Sequence, residues 1–308
     1  MTSVMESARR ADRGSRIAAL AVLVLAVLPR FAVAEKAPAS ALAEATCPAE
    51  MVTVQGFCVD RWEASMVDRA TREPLSPYYP PDPRLLAETW LAWEIDRGEY
   101  GPASARPMPV PEIGEWQRTH SFSPLAVSRA GVVPQAYLSY PLARRACENA
   151  GKRLCTRDEW LAACRGQAGT KFPYGDTFDP SRCNVWGHLH PGAVLHGGAS
   201  FGHRDPRLNL VAEGGASPLL RLTGASPGCA SRWGADAALD MVGNVDEWVE
   251  GGHPEFDGGF YARSTRSGCE ARVTTHAPAY YDYSLGVRCC RDAPGGRGTS
   301  SHRRETPR

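Results

Sequence analysis

Ten cysteines stand at positions 47, 58, 147, 155, 164, 183, 229, 269, 289 and 290, and the first 46 residues contain none. Ahead of them, Arg9, Arg10, Arg13 and Arg16 precede an apolar run from Ile17 to Leu28, followed by Ala32-Val33-Ala34. A positive segment, a short apolar core and an A-x-A site predict a secretory signal peptide over residues 1–34. The apolar run is too short to cross the roughly 30 Å core of a bilayer as a helix, so no stable membrane insertion is expected after cleavage. An even cysteine count in an exported chain predicts a disulfide framework of up to five bridges. Metal thiolates lack their spacing signal, because the chain contains no C-x-x-C and no H-x-x-x-H. The expected location is periplasmic or extracellular.

The eight Trp, ten Tyr and eight Phe require a packed interior, which excludes a largely disordered chain. Downstream of residue 34 the basic and acidic side chains number 30 and 32. No field of one sign steers the protein to nucleic acid or anionic lipid, so neither is expected as a partner.

Residues 35–46 are Ala-rich and read as a flexible leader, and 293–308 as a disordered basic tail. From Cys47, the alternation of Val52, Val54, Phe57 and Val59 around Gly56 predicts two short strands and a domain start. A Pro-rich insertion spans about 74–130, with a short helix expected over 85–99 carrying Trp90 and Trp93; two Trp argue that it packs on the domain. Further helices are expected from Ser139 to Gly151, with Pro141 in the first turn, and from Thr156 to Gly166. The second opens on a Thr156/Glu159 capping box. Beyond 167, recurrent Gly, Pro, Asn and Asp predict a loop-dominated region.

The segments FCVDRWEAS, PQAYLSYPLARRAC, AGKRLCTRDEWLAACRG, FPYGD, DMVGNVDEWV, GGFYARSTRSGC and LGVRCC follow one another in order. In that order and spacing the chain resembles the formylglycine-generating enzyme, or sulfatase-modifying factor, superfamily from about 47 to 292. The resemblance implies an α+β, loop-rich, disulfide-stapled domain with a C-type-lectin-like fold. It implies bridges Cys147–Cys289 and Cys164–Cys269, and the remaining pairs are expected as Cys183–Cys229, Cys155–Cys290 and Cys47–Cys58.

The resemblance also implies structural calcium, held by the Asp240 and Glu247 side chains and the Gly243 and Val245 carbonyls. Oxygen donors converging from a tight loop suit a hard cation. A second site is matched only at Asn184 and Val185. The family's oxidase chemistry uses two reactive cysteines that bind Cu(I), a soft ion that prefers thiolate. Here the corresponding segment runs Gly258-Gly259-Phe260-Tyr261-Ala262-Arg263-Ser264-Thr265-Arg266-Ser267-Gly268-Cys269, with Arg263 where the first would stand. Copper and formylglycine-generating activity are therefore not expected. His188, His190, His196 and His203 cluster in a Gly-rich stretch, from which a three-histidine iron or zinc site can be drawn. Arg263, Arg266, Tyr281 and Arg288, with Arg272, Tyr280 and Tyr283, are candidates to line the groove, where Arg and Tyr suit a peptide or an anionic glycan. The expectation is a binding or accessory module for a peptide, protein or glycan. The alternative is a metal-dependent oxidoreductase, with iron or copper at a non-standard site.

Overall fold

Val52 and Val54 alternate inward in strand β1 (Met51–Val54), and the chain reverses through Gln55 and Gly56, both at positive φ, into β2 (Phe57–Asp60). Adjacent left-handed residues give the turn whose twist matches flanking antiparallel strands, and Gly adopts that conformation freely. In the computed structural model the described residues are 47–96, 102–185, 189–200, 202–214 and 217–294. The expected signal peptide and leader, and the expected tail beyond Pro294, lie outside them.

Strand β3 (Ala64–Asp68) pairs antiparallel with β4 (Pro124–Ser128), so the far end of the Pro-rich stretch belongs to the scaffold itself. Between them lie α1 (Pro83–Asp96) and the short α2 (Glu115–Thr119). This stretch is pinned by aromatic contacts. Trp90 lies 6.5 Å from Tyr79, Trp116 lies 6.2 Å from Phe122, and the Tyr79 hydroxyl donates to the Pro111 carbonyl at 2.8 Å.

Helix α3 (Tyr140–Asn149) starts with Pro in its first turn, although the Ser139 side chain makes no capping bond, and Gly151 at φ +68° follows its end. It buries Leu142, Ala143, Ala146 and Cys147 on one face. After the two-residue strand β5 (Arg153–Leu154) comes α4 (Arg157–Arg165), which opens on the full capping box between Thr156 and Glu159. Such caps satisfy backbone donors that the first helical turn leaves without partners. Its buried face presents Trp160, Ala163 and Cys164.

The rest is mostly loop. It holds α5 (Pro191–His196), the hairpin of β6 (Ala230–Trp233) and β7 (Asp236–Leu239), then β8 (Asp246–Val249), β9 (Glu255–Asp257), β10 (Arg272–Val273), β11 (Leu285–Gly286) and β12 (Cys289–Asp292). One sheet runs β1-β2-β12-β5 and another β10-β9-β8-β11, with β8 and β11 parallel. All ten cysteines are bridged: Cys47–Cys58, Cys147–Cys289, Cys155–Cys290, Cys164–Cys269 and Cys183–Cys229. Neighbouring strand residues face opposite sides. Accordingly Cys289 joins the core cluster around Trp248, and Cys290 joins the one around Trp160. Among the described residues no helix is long and apolar enough to cross a membrane.

Candidate functional site

Two clusters of polar groups stand out, one buried and one at a cavity. The first forms where the turn before β8 meets β2 and the approach to β12. Arg288 is fully buried, and its guanidinium donates to Glu247 Oε1 at 3.0 Å and to the Asp60 and Leu239 carbonyls. Its Nε lies 3.2 Å from each Glu247 oxygen, and Trp160 Nε1 donates to Glu247 Oε2 at 2.6 Å. Glu63 accepts from Asn244 Nδ2 at 2.7 Å and from the Val245 N–H at 3.2 Å. Asp240 Oδ2 accepts from the Gly224 N–H at 2.7 Å. Burial, reinforced by the neighbouring carboxylates, pushes Glu63 well above the usual carboxylate range; burial likewise lifts Asp240 to about 6.

The calcium expectation meets this geometry at Glu247. A carboxylate offers about four lone-pair positions. Here Arg288 and Trp160 engage both of its oxygens. Asn184 and Val185 lie against the same turn: the Asn184 carbonyl accepts from the Asn244 N–H at 2.8 Å, and its side chain donates to Leu219 and Asn244. A Cβ on Gly243, at φ +85°, would collide with that carbonyl, which is why Gly stands there. Among the described residues, no group of three or more His, Cys, Asp or Glu is placed to hold a metal ion. As arranged, both Glu247 oxygens are held by protein donors, and a calcium ion there would share that carboxylate with Arg288 and Trp160.

The second cluster surrounds a cavity of about 170 Å³. Asp246, the first residue of β8, is fully buried at its edge. Its Oδ1 accepts from the Gly259 N–H at 2.9 Å and pairs with Arg263, while Oδ2 has no partner among the described residues. Burial pushes Asp246 up to about 7, with Arg263 pulling against it and the Asp282 charge adding to it. Asp282 is satisfied by the Ser284 N–H and hydroxyl and by the Tyr280 hydroxyl at 2.6 Å.

The walls are rings. Phe260 and Tyr283 meet edge to face with centroids 5.6 Å apart, and Phe256, His276 and Tyr280 stack at 5.6 and 3.9 Å. The Tyr283 hydroxyl lies 3.1 Å from His190 Nε2.

Of the seven residues named as groove candidates, Arg263, Tyr280 and Tyr283 line this cavity. Arg266 lies over Phe178 at 5.1 Å, and Tyr281 is buried beneath Arg204 at 4.5 Å. Arg288 is in the core, where its charge is needed by Glu247; its place in the groove is corrected on that ground. Of the histidines, His190 and His203 line the cavity, His196 pairs with Asp205 at 3.0 Å, and His188 lies outside the described residues. Asp246, Phe256 and Phe260 were missed by sequence reasoning. The one available signal was an Asp directly before a motif Glu, within a segment already recognised.

Five disulfides suit an oxidising compartment, and the described residues form a loop-rich α+β domain with a small recess walled by rings beside a buried carboxylate. The chain belongs to the formylglycine-generating enzyme superfamily: residues 34–293 match the sulfatase-modifying factor enzyme 1-like domain. It is similar to the inactive C-alpha-formylglycine-generating enzyme 2 of Bos taurus, 31% identical over 174 residues, 52% of this chain and 50% of that protein. It is also similar to the formylglycine-generating enzyme of Mus musculus, 28% identical over 148 residues, 45% of this chain and 40% of that protein. The matched stretch thus spans half or less of these relatives. The solved structure of PvdO from Pseudomonas aeruginosa overlaps 77% of this chain and 80% of its own, with 15% identity and a TM-score of 0.36.

Proposed function

We propose that the protein is an exported sulfatase-modifying-factor-like domain without oxidase activity, a binding or accessory module that receives part of a peptide or glycan ligand in the cavity beside Asp246. One observation carries this reading. Every cysteine of the chain is in a disulfide, so no thiolate pair is left for Cu(I). Where the family's first reactive cysteine would stand, Arg263 instead pairs with Asp246. The similarity to a relative named as inactive points the same way. Export agrees with the five bridges and with the signal-like start of the sequence.

The histidine-based oxidoreductase gains nothing from the geometry. His190 Nδ1 accepts from the Gly192 N–H at 3.2 Å and its Nε2 contacts Tyr283, while His203 Nε2 contacts the Ala199 carbonyl at 3.0 Å. The test is a pair of immobilised peptide and glycan arrays probed with the full chain and with Phe260→Ala. Binding of a defined ligand class by the wild type, lost in the variant, supports the module. Conversion of a cysteine-containing peptide to an aldehyde by the purified protein would overturn it.

A further inference from the structure

We propose that the cavity receives a primary alkyl-ammonium group, the cation at the end of a lysine side chain or of a free alkylamine. This rests on the binding-module reading and narrows its ligand. Ring faces carry negative electrostatic potential and attract cations within about 6 Å of the centroid. Here rings come from two directions, the Phe260–Tyr283 pair and the Phe256–His276–Tyr280 stack. Beside them lies Asp246, buried, with one carboxylate oxygen that has no hydrogen-bond partner among the described residues. A buried oxygen of this kind gains more from a charged N–H donor than from a neutral one.

The protein itself shows which charge the recess takes. The Arg263 guanidinium stands 5.6 Å from the Phe260 ring and pairs with Asp246, so one internal cation already uses an aromatic face and a carboxylate oxygen here. Arg263 sits in a loop and keeps 33% of its side chain exposed, so it can swing away and uncover the carboxylate. An anionic group would meet the Asp282 carboxylate, and the only guanidinium among the lining residues is already engaged. At about 170 Å³ the recess is smaller than a whole-ligand pocket, which spans roughly 300–1,000 Å³, and suits the end of one chain.

The test is a calorimetric titration of the full chain with n-butylammonium chloride, N-acetyl-lysine methylamide, its Nε-acetylated counterpart and n-butanol, at matched ionic strength. Both ammonium probes are expected to bind at least about tenfold more tightly than their neutral counterparts. Butylammonium binding as well as the lysine derivative identifies the ammonium alone as the determinant; a clear preference for the lysine derivative adds the peptide backbone. Asp246→Asn should weaken both ammonium probes at least about tenfold, and Arg263→Gln should tighten them by removing the competing cation. Should Asp246→Asn fail to fold, Arg263→Gln and Phe260→Ala supply the same decision with opposite signs. Equal affinity for butanol and butylammonium overturns the cation inference while leaving a binding cavity. No binding of either ammonium probe overturns it as well, and the array result then decides the parent reading separately.

Discussion

Arg288 and Glu247 are both withdrawn from solvent, and the guanidinium of one spans both carboxylate oxygens of the other at 3.0–3.2 Å. Glu63 and Asp240 lie within electrostatic reach of the pair, so the Arg288 charge acts on three acidic side chains in the middle of the domain.

Removing that charge should be severe. Arg288→Met leaves Glu247 buried without its cation, a change that costs about 3–5 kcal/mol when one partner of a buried pair is lost. The expected outcome is a denaturation midpoint far below wild type, measured by Trp fluorescence in urea. The double variant Arg288→Met/Glu247→Gln should recover part of the loss. No recovery would show that the pair acts through packing alone.

The buried acids set the direction of the pH response. Burial raises Asp60 to about 6 and Asp257 to about 7, the latter against the pull of Arg157. The folded state therefore holds protons that the unfolded state has released once the pH passes about 4, and the stability this contributes is lost as pH rises through the folded values. Melting temperature should be higher at about pH 5 than at about pH 8. Neither Asp257 oxygen has a hydrogen-bond partner among the described residues, so Asp257→Asn should flatten the slope. A slope of the opposite sign would show that these carboxylates are ionised in the folded protein.

Because Arg288 and Trp160 occupy Glu247, chelation should leave the protein unchanged. Melting curves in EDTA and in millimolar calcium chloride are expected to coincide. A rise of several degrees with calcium, abolished by Asp240→Asn, would show that an ion takes the carboxylate from Arg288.

Alkylation of unfolded, unreduced protein should add no label to any of the ten cysteines. Removing the Cys155–Cys290 bridge by a paired Ala substitution should cost about 2–5 kcal/mol, read as a shift of the urea midpoint. A pair of labelled cysteines in the wild type would reopen thiolate chemistry.

The features legible in advance were those whose cause lies within a few residues. The Thr156/Glu159 box, the Gly56 turn and the apolar face of 140–149 all follow from neighbours in the chain, since capping, turn formation and helical periodicity are short-range effects. The segment from Asp240 to Val249 was recognisable as a motif, but its chemistry was not. A motif names residue types, whereas the partner that saturates Glu247 comes from 41 positions away.

By itself, then, the sequence determined the class of domain, the parity of its cysteines and its family, because these are matters of count, order and local spacing. Tertiary structure alone decided that Arg288 serves the core while Arg263 serves the cavity. It also decided that Asp246 lies among rings drawn from residues 256 to 283. The physical reason is that a side chain's charge and burial depend on what the rest of the fold brings against it, and those partners are distant in the chain.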